Sequence, residues 1–214
     1  MAHPASLDER LPSLGNIPII GILRRCPSDR IVKVAGCAAR SGLTTIEITF
    51  DSDDPTIQIR SILGAFPELT VGAGTILDTR QAEAAIGAGA SFLVSPVVSA
   101  AVLSTCLEVD LPYLPGAATP TEIWSAYEAG ATAVKVFPAR ELGGPAYLAA
   151  LRAPLEGIPL VATGGIGLDD IPRYLAAGAA AVGLGGTLFP RDFIENGLFS
   201  EISDLVSRAV EIAG

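Results

Sequence analysis

A lysine and a glutamate carry the chemistry this sequence could perform. Lys135 sits in the middle of ATAVKVFPA, residues 131–139, an apolar run of strand length. Strand side chains alternate between faces, so Ala133, Lys135 and Phe137 share one face and Val134 and Val136 the other. In a strand buried on both sides this drives an amine into the interior, where an unpaired charge is costly. Two explanations are open: a lysine that snorkels from a strand end or pairs with a carboxylate, or a desolvated nucleophilic amine able to form a Schiff base with a carbonyl substrate. Glu47, in TTIEITF, shares a face with Thr45 and Thr49, opposite Ile46 and Ile48. It could be the structural partner of Lys135 or a general acid/base working with it, and the two roles are compatible. Because a close carboxylate favours a charged amine, a catalytic pair is expected to meet through substrate or water rather than in tight contact.

Composition removes other mechanisms. The only histidine is His3, in a polar, proline-containing N-terminal stretch, so a Ser-His-Asp or Cys-His nucleophile and a histidine-rich zinc site are not expected. Acid/base work then falls to carboxylates, lysine, tyrosine or water. Cys26, Cys37 and Cys106 are odd in number and lack CxxC spacing, which points to small buried hydrophobes rather than a disulfide framework or a zinc site. A net charge of −9 disfavours nucleic acid as a partner, while anionic small molecules stay open through local arginines or backbone amides. No apolar run reaches bilayer-spanning length and MAHPASLDER has no apolar signal region, so a soluble, cytoplasmic protein without a membrane partner is expected.

The elements that must hold Lys135 and Glu47 recur as one phrase: a short apolar strand, a helical pattern and a glycine stop. The strands read IPIIGILR, TTIEITF, TVGAGTIL, SFLVSP, PYLPG, TAVKVFP, PLVATGG and AAVGLGG, eight in all, spaced by one strand-plus-helix unit. The helical stretches include one with Ile31, Val34, Ala35 and Ala38 on its apolar face, stopped by Gly42, and a last one expected over Ile194 to Ile212. Apolar strands alternating with helices make a parallel sheet, and eight units close a barrel. The expectation is a single (β/α)8 TIM barrel over residues 17–214, preceded by a capping segment, residues 1–16, with one helical turn closed off by Pro12 and Gly15. A doubly wound open sheet is the alternative.

Active sites of such barrels lie at the C-terminal ends of the strands. Sorting polar residues by that rule selects Arg24 after the first strand, Glu47 and Thr49 in the second, Thr75 after the third, and Ser95 with Pro96 after the fourth. It adds Lys135 in the sixth, Thr163 after the seventh and Thr187 after the eighth. Thr163-Gly164-Gly165 and Gly185-Gly186-Thr187 close the last two strands. Bare amides there, beside a helix N-terminus, form the usual phosphate site of this barrel, although glycine also simply permits a tight turn.

Several segments together resemble one family over essentially the whole chain. They are EITF at 47–50, VGAGTIL at 71–77, Ser95-Pro96, PGAATPTE at 115–122, KVFPA at 135–139, ATGGI at 162–166 and GLGGTLF at 183–189. The family is that of the 2-keto-3-deoxy-6-phosphogluconate (KDPG) aldolases, with its 4-hydroxy-2-oxoglutarate (KHG) and 6-phosphogalactonate relatives. The resemblance implies that Lys135 forms the Schiff base and that Glu47 is the general acid/base. It implies that Thr75, Pro96, Phe137 and Thr163 shape a pyruvate pocket, and that Gly164, Gly165, Gly185, Gly186 and Thr187 hold a phosphate. It further implies reversible cleavage of a phosphorylated keto acid to pyruvate and glyceraldehyde 3-phosphate, no metal or other cofactor, and a homotrimer.

One position departs from the pattern: some members carry an arginine two residues after the EIT motif, where this chain has Asp51. Like-charge repulsion makes Asp51 a poor carboxylate ligand. Arg24, ending the first strand in ILR, is the candidate for that role, and by alternation Arg25 should point away. Arg24 could instead pair only with Glu47 or Asp51 at the rim. The competing functions are the 6-phosphogalactonate or KHG aldolases, an isomerase or synthase barrel using Glu47 as base with Lys135 only for electrostatics, and a non-catalytic phosphate-binding barrel.

Overall fold

The computed structural model describes residues 7–12 and 17–214, so most of the expected capping segment, with His3 and Gly15, lies outside the described residues. Strands β1 (Ile19–Leu23), β2 (Thr45–Thr49), β3 (Thr70–Gly74), β4 (Leu93–Val94), β5 (Tyr113–Leu114), β6 (Gly116–Ala117), β7 (Val134–Val136), β8 (Leu160–Thr163) and β9 (Ala181–Leu184) are all parallel. Their order is β5-β4-β3-β2-β1-β9-β8-β7-β6, with β1 paired to β9. These are the eight expected strands, the fifth divided at Pro115. Proline has no N–H for the ladder, so β5 bonds only to β4 and β6 only to β7, while the Pro115 carbonyl still accepts from the Lys135 N–H at 2.9 Å. The fifth stave thus joins both ends of the sheet, and the fold is a TIM barrel.

Strand alternation separates two cores. Ile20, Ile22, Phe92, Val94, Leu114, Ala133, Val161 and Ala181 fill the barrel interior, joined by Leu11. Ile19, Ile46, Ile48, Val134, Val136, Leu160, Ala162 and Val182 face outward, into the layer packed against the helices. The side-chain periods expected for β2 and β7 are therefore those observed. A short helix, α1 (Leu7–Arg10), precedes Leu11, and Arg10 pairs with Asp110 at 2.9 Å.

The strands are connected by α2 (Ile31–Arg40), α3 (Pro55–Ala65), α4 (Thr79–Gly87), α5 (Ala100–Glu108), α6 (Pro120–Glu128), α7 (Gly144–Arg152) and α8 (Ile171–Ala176). Helix α2 buries Ile31, Val34, Ala35 and Ala38, as its spacing requires. The last helix differs from expectation. It is two helices, α9 (Arg191–Asn196) and α10 (Phe199–Ala213), because Gly197 takes φ +69° and ends the first. All three cysteines are free and buried, and burial pushes the Cys26 and Cys106 thiols up to about 12, which makes neither a nucleophile.

Candidate active site

A cavity of about 600 Å³ opens at the C-terminal ends of the strands. Lys135 and Glu47 line it and are themselves buried, 6% and 2% exposed. Lys135 is held by β7 between β6 and β8, in register with Gly116 and Val161, and its Nζ stands 5.1 Å from the centre of the Phe137 ring. Glu47 is held by β2 between β1 and β3. Its carboxyl has room because the inward positions of β3 are Gly72 and Gly74. A Cβ on Gly74 would lie 1.7 Å from Glu47 Oε1, while the space above Gly72 is taken by the Phe92 ring. On the far side Gly183 makes similar room for Thr163, whose Oγ1 would be 2.5 Å from a Cβ at that position.

No ion pair within 4 Å joins Glu47 to Lys135 among the described residues, so the pair is separated, as a shared substrate would require. Burial pushes the Glu47 carboxyl above its ordinary 4.5, Lys135 and Arg24 pull it back down, and Asp51 adds to the rise. Desolvation is the dominant influence, and it leaves Glu47 able to hold a proton where an exposed carboxylate would have lost it.

Of the residues expected in the site, Arg24, Phe137, Thr163, Gly164, Gly165, Gly185, Gly186 and Thr187 also line the cavity. The amides of Gly164, Gly165, Gly186 and Thr187 donate no hydrogen bond among the described residues, and all four residues line the cavity. The two glycine loops are tied by Thr187 Oγ1, which donates to the Ile166 carbonyl at 2.7 Å. The element following Gly165 is a one-turn 3-10 segment, Leu168–Asp170, rather than the start of an α-helix, and the Asp170 carboxylate accepts from the Gly167 N–H. Any anion there meets loop amides, not a free helix end.

Thr49, Thr75 and Pro96 do not line the cavity. Thr49 is fully buried with its hydroxyl 3.4 Å from the Leu23 carbonyl and 3.2 Å from Ser52 Oγ, which braces the β1 and β2 ends. Thr75 accepts from Arg24 Nη2 at 3.3 Å, and Pro96 packs its backbone against Gly116. Arg24 Nη1 also lies 3.5 Å from Asp51. Arg25 does not point away: with φ +50° it leaves strand geometry, and its Nε comes within 3.3 Å of the same carboxylate. Arg140 and Asp170 line the cavity and were not singled out from the sequence. Arg140 stands just after the KVFPA strand, where the sorting rule would have caught it, and a Cβ on Gly165 would touch its side chain at 2.8 Å.

The chain has relatives among known proteins. The family model for KDPG and KHG aldolases matches residues 10–205. The chain belongs to the KDPG and KHG aldolase family. A 2-dehydro-3-deoxy-phosphogluconate aldolase of Pseudomonas aeruginosa is 37% identical over 91% of this chain and 87% of its own length. A probable 2-dehydro-3-deoxy-6-phosphogalactonate aldolase of Rhizobium meliloti is also 37% identical, over 80% of this chain and 82% of its own. The KDPG aldolase of Legionella pneumophila, solved with pyruvate captured at low pH as a covalent carbinolamine intermediate, superimposes with a TM-score of 0.87 at 25% identity, covering 92% of this chain and 96% of that one. Membership makes this aldolase a carbon–carbon lyase.

Proposed function

We propose that this aldolase reversibly cleaves KDPG to pyruvate and glyceraldehyde 3-phosphate through a Schiff base on Lys135. The observation that carries the reading is the burial of one amine and one carboxyl, with no ion pair between them among the described residues, at the floor of a cavity that the two glycine loops also line. Lys135 Nζ attacks the C2 ketone, and Glu47 relays protons while the carbinolamine loses water. As the Glu47 carboxylate takes the C4 hydroxyl proton through water, the C3–C4 bond breaks, the protonated imine accepts its electron pair to become the enamine, and glyceraldehyde 3-phosphate leaves. Enamine protonation and imine hydrolysis release pyruvate. Phe137 and Thr163 wall the keto-acid end, Arg24 takes the carboxylate, and Thr49, Thr75 and Pro96 act by bracing that wall. The phosphate sits at Gly164, Gly165, Gly186 and Thr187, on the turn made by Gly185, with Arg140 as the nearby cation.

Borohydride reduction in the presence of pyruvate tests the covalent step. A pyruvyl mass gain on Lys135, absent in Lys135→Met, is expected together with pyruvate release from KDPG. An enzyme that turns over KDPG with no trapped adduct would refute the imine. The second reading is the C4 epimer, 2-keto-3-deoxy-6-phosphogalactonate, favoured by the equal identity of the Rhizobium relative. Comparing kcat/KM for the two epimers and for 4-hydroxy-2-oxoglutarate decides between them.

The enzyme is further proposed to work as a cytoplasmic homotrimer, each barrel over residues 17–214 carrying a capping segment, 1–16. Supporting this are Leu77, Val97 and Val98, exposed apolar side chains on the loops after β3 and β4, and the burial of Leu11 in the barrel interior. Among the described residues no helix is long and apolar enough to cross a membrane. Sedimentation equilibrium of the full chain tests the trimer.

A further inference from the structure

Asp51, on the loop after β2, does not line the cavity, yet its surroundings tie it to the acid/base centre. Its Oδ2 lies 3.5 Å from Arg24 Nη1 and 3.3 Å from Arg25 Nε, and its Oδ1 is buried with no hydrogen-bond partner among the described residues. Among the described residues this carboxylate pairs only with the two guanidiniums, and its other oxygen, left unpaired, makes holding them there costly to forgo. The loop cannot easily carry it elsewhere, because the Arg25 N–H donates to Ser52 Oγ at 2.8 Å and Ser52 in turn meets Thr49 Oγ1 at 3.2 Å. Arg24 is thereby held at two points, Asp51 and Thr75. The carboxylates that do line the cavity are Asp170, paired with Arg173 at 3.1 Å, and Glu47. A released Arg24 would therefore turn toward Glu47.

We propose that Asp51 is a positioning residue for the acid/base chemistry: by holding the Arg24 guanidinium at the rim against Thr75, it keeps Glu47 out of an ion pair and free to take up and release a proton. The inference rests on the reading of Glu47 as acid/base. The charged groups acting on Glu47 are Lys135 from β7, Arg24 from the end of β1, and Asp51 from its own loop. The first two favour the carboxylate, and Asp51 with burial favours the acid. Removing the Asp51 charge takes away one support of the acid and frees Arg24, and both changes push the same way.

The test is an infrared titration, on protein without substrate, of the carbonyl stretch of protonated Glu47, assigned by its loss in Glu47→Gln. In Asp51→Asn the midpoint should fall by at least about half a pH unit, the scale of a charge lost near a buried carboxyl, and Asp51→Glu should restore it. With Arg24→Ala already in place, Asp51→Asn should move it by less than half as much. An unchanged midpoint in folded Asp51→Asn, or an equal shift with and without Arg24, overturns the proposal. Because no turnover is needed, absence of KDPG cleavage would count against the aldolase reading and leave this one standing.

Discussion

The floor and the rim of the cavity bind charge in opposite ways. At the floor, Lys135 and Glu47 project from neighbour-locked strands, buried in a layer otherwise made of Ile22, Thr163 and bare glycine. At the rim, Gly164, Gly165, Gly186 and Thr187 offer backbone amides from loops that line the cavity. Buried side chains can have their proton affinities displaced by desolvation, which proton transfer needs; a phosphate needs only fixed dipoles, which cost no buried charge. The consequence is that damage to the floor should appear in kcat and damage to the rim in KM.

Glu47→Gln offers the sharpest test of that division. It should lower kcat by roughly 10² to 10⁴ with little change in KM. It should also stabilise the fold. Folded Glu47 keeps its proton to higher pH than the unfolded chain, whose value is near 4.5, so between the two the unfolded state binds fewer protons and stability falls as pH rises. The neutral amide of the variant suffers no such loss. The Tm of the variant should exceed that of the parent near neutral pH, and the gap should close below pH about 4.5, measured by calorimetry across that range. Equal Tm values throughout would mean that Glu47 is not held protonated.

Gly74→Ala attacks the floor without replacing either Glu47 or Lys135. The new Cβ would lie 1.7 Å from Glu47 Oε1, so the carboxyl must move. A displacement of that size should cost on the order of 10² in kcat, while trapping of pyruvate on Lys135 is still detectable at long incubation.

At the rim, Gly186→Ala is expected to be silent for folding, since its Cβ would meet nothing within 4 Å among the described residues and its φ is not in the left-handed region. On the proposed function, the glycine leaves room for a phosphate to come close. KM for KDPG should rise roughly tenfold, the worth of a charge-assisted hydrogen bond or two, with kcat and the proton exchange of pyruvate unaffected. A fall in kcat alone would break the division between the two regions.

Arg24→Ala should have a smaller effect than any of these. Arg24 is 56% exposed and shared with Asp51, so solvent screening limits the loss to about 1 kcal/mol, roughly fivefold in pyruvate affinity. Arg25→Ala, at 67% exposure and outside the main cavity, should change it less. Equal effects, measured by pyruvate protection against borohydride-independent labelling of Lys135, would remove Arg24 from carboxylate binding.

Much of this site is legible in the amino-acid order because strand alternation is a local property. Once TTIEITF and TAVKVFP are strands, Glu47 and Lys135 must share the faces they do, and the repeated strand-helix phrase fixes eight staves, hence a barrel whose C-terminal rim gathers Arg24, Thr163 and the two glycine pairs. What alternation cannot supply is distance between strands and the path of the chain beyond a strand's last residue. Only the assembled barrel brings Gly74 under the Glu47 carboxyl, because strand stagger sets which level of β3 meets β2. Only the loop conformation turns Arg25 back onto Asp51 and sets Arg140 beside Gly165, since one positive φ redirects a side chain that the strand period would have sent the other way. Thr49 shows the same limit from the other side. Its face is readable from the strand period, but its place outside the cavity, with the hydroxyl turned to the Leu23 carbonyl, follows from how β1 lies against β2.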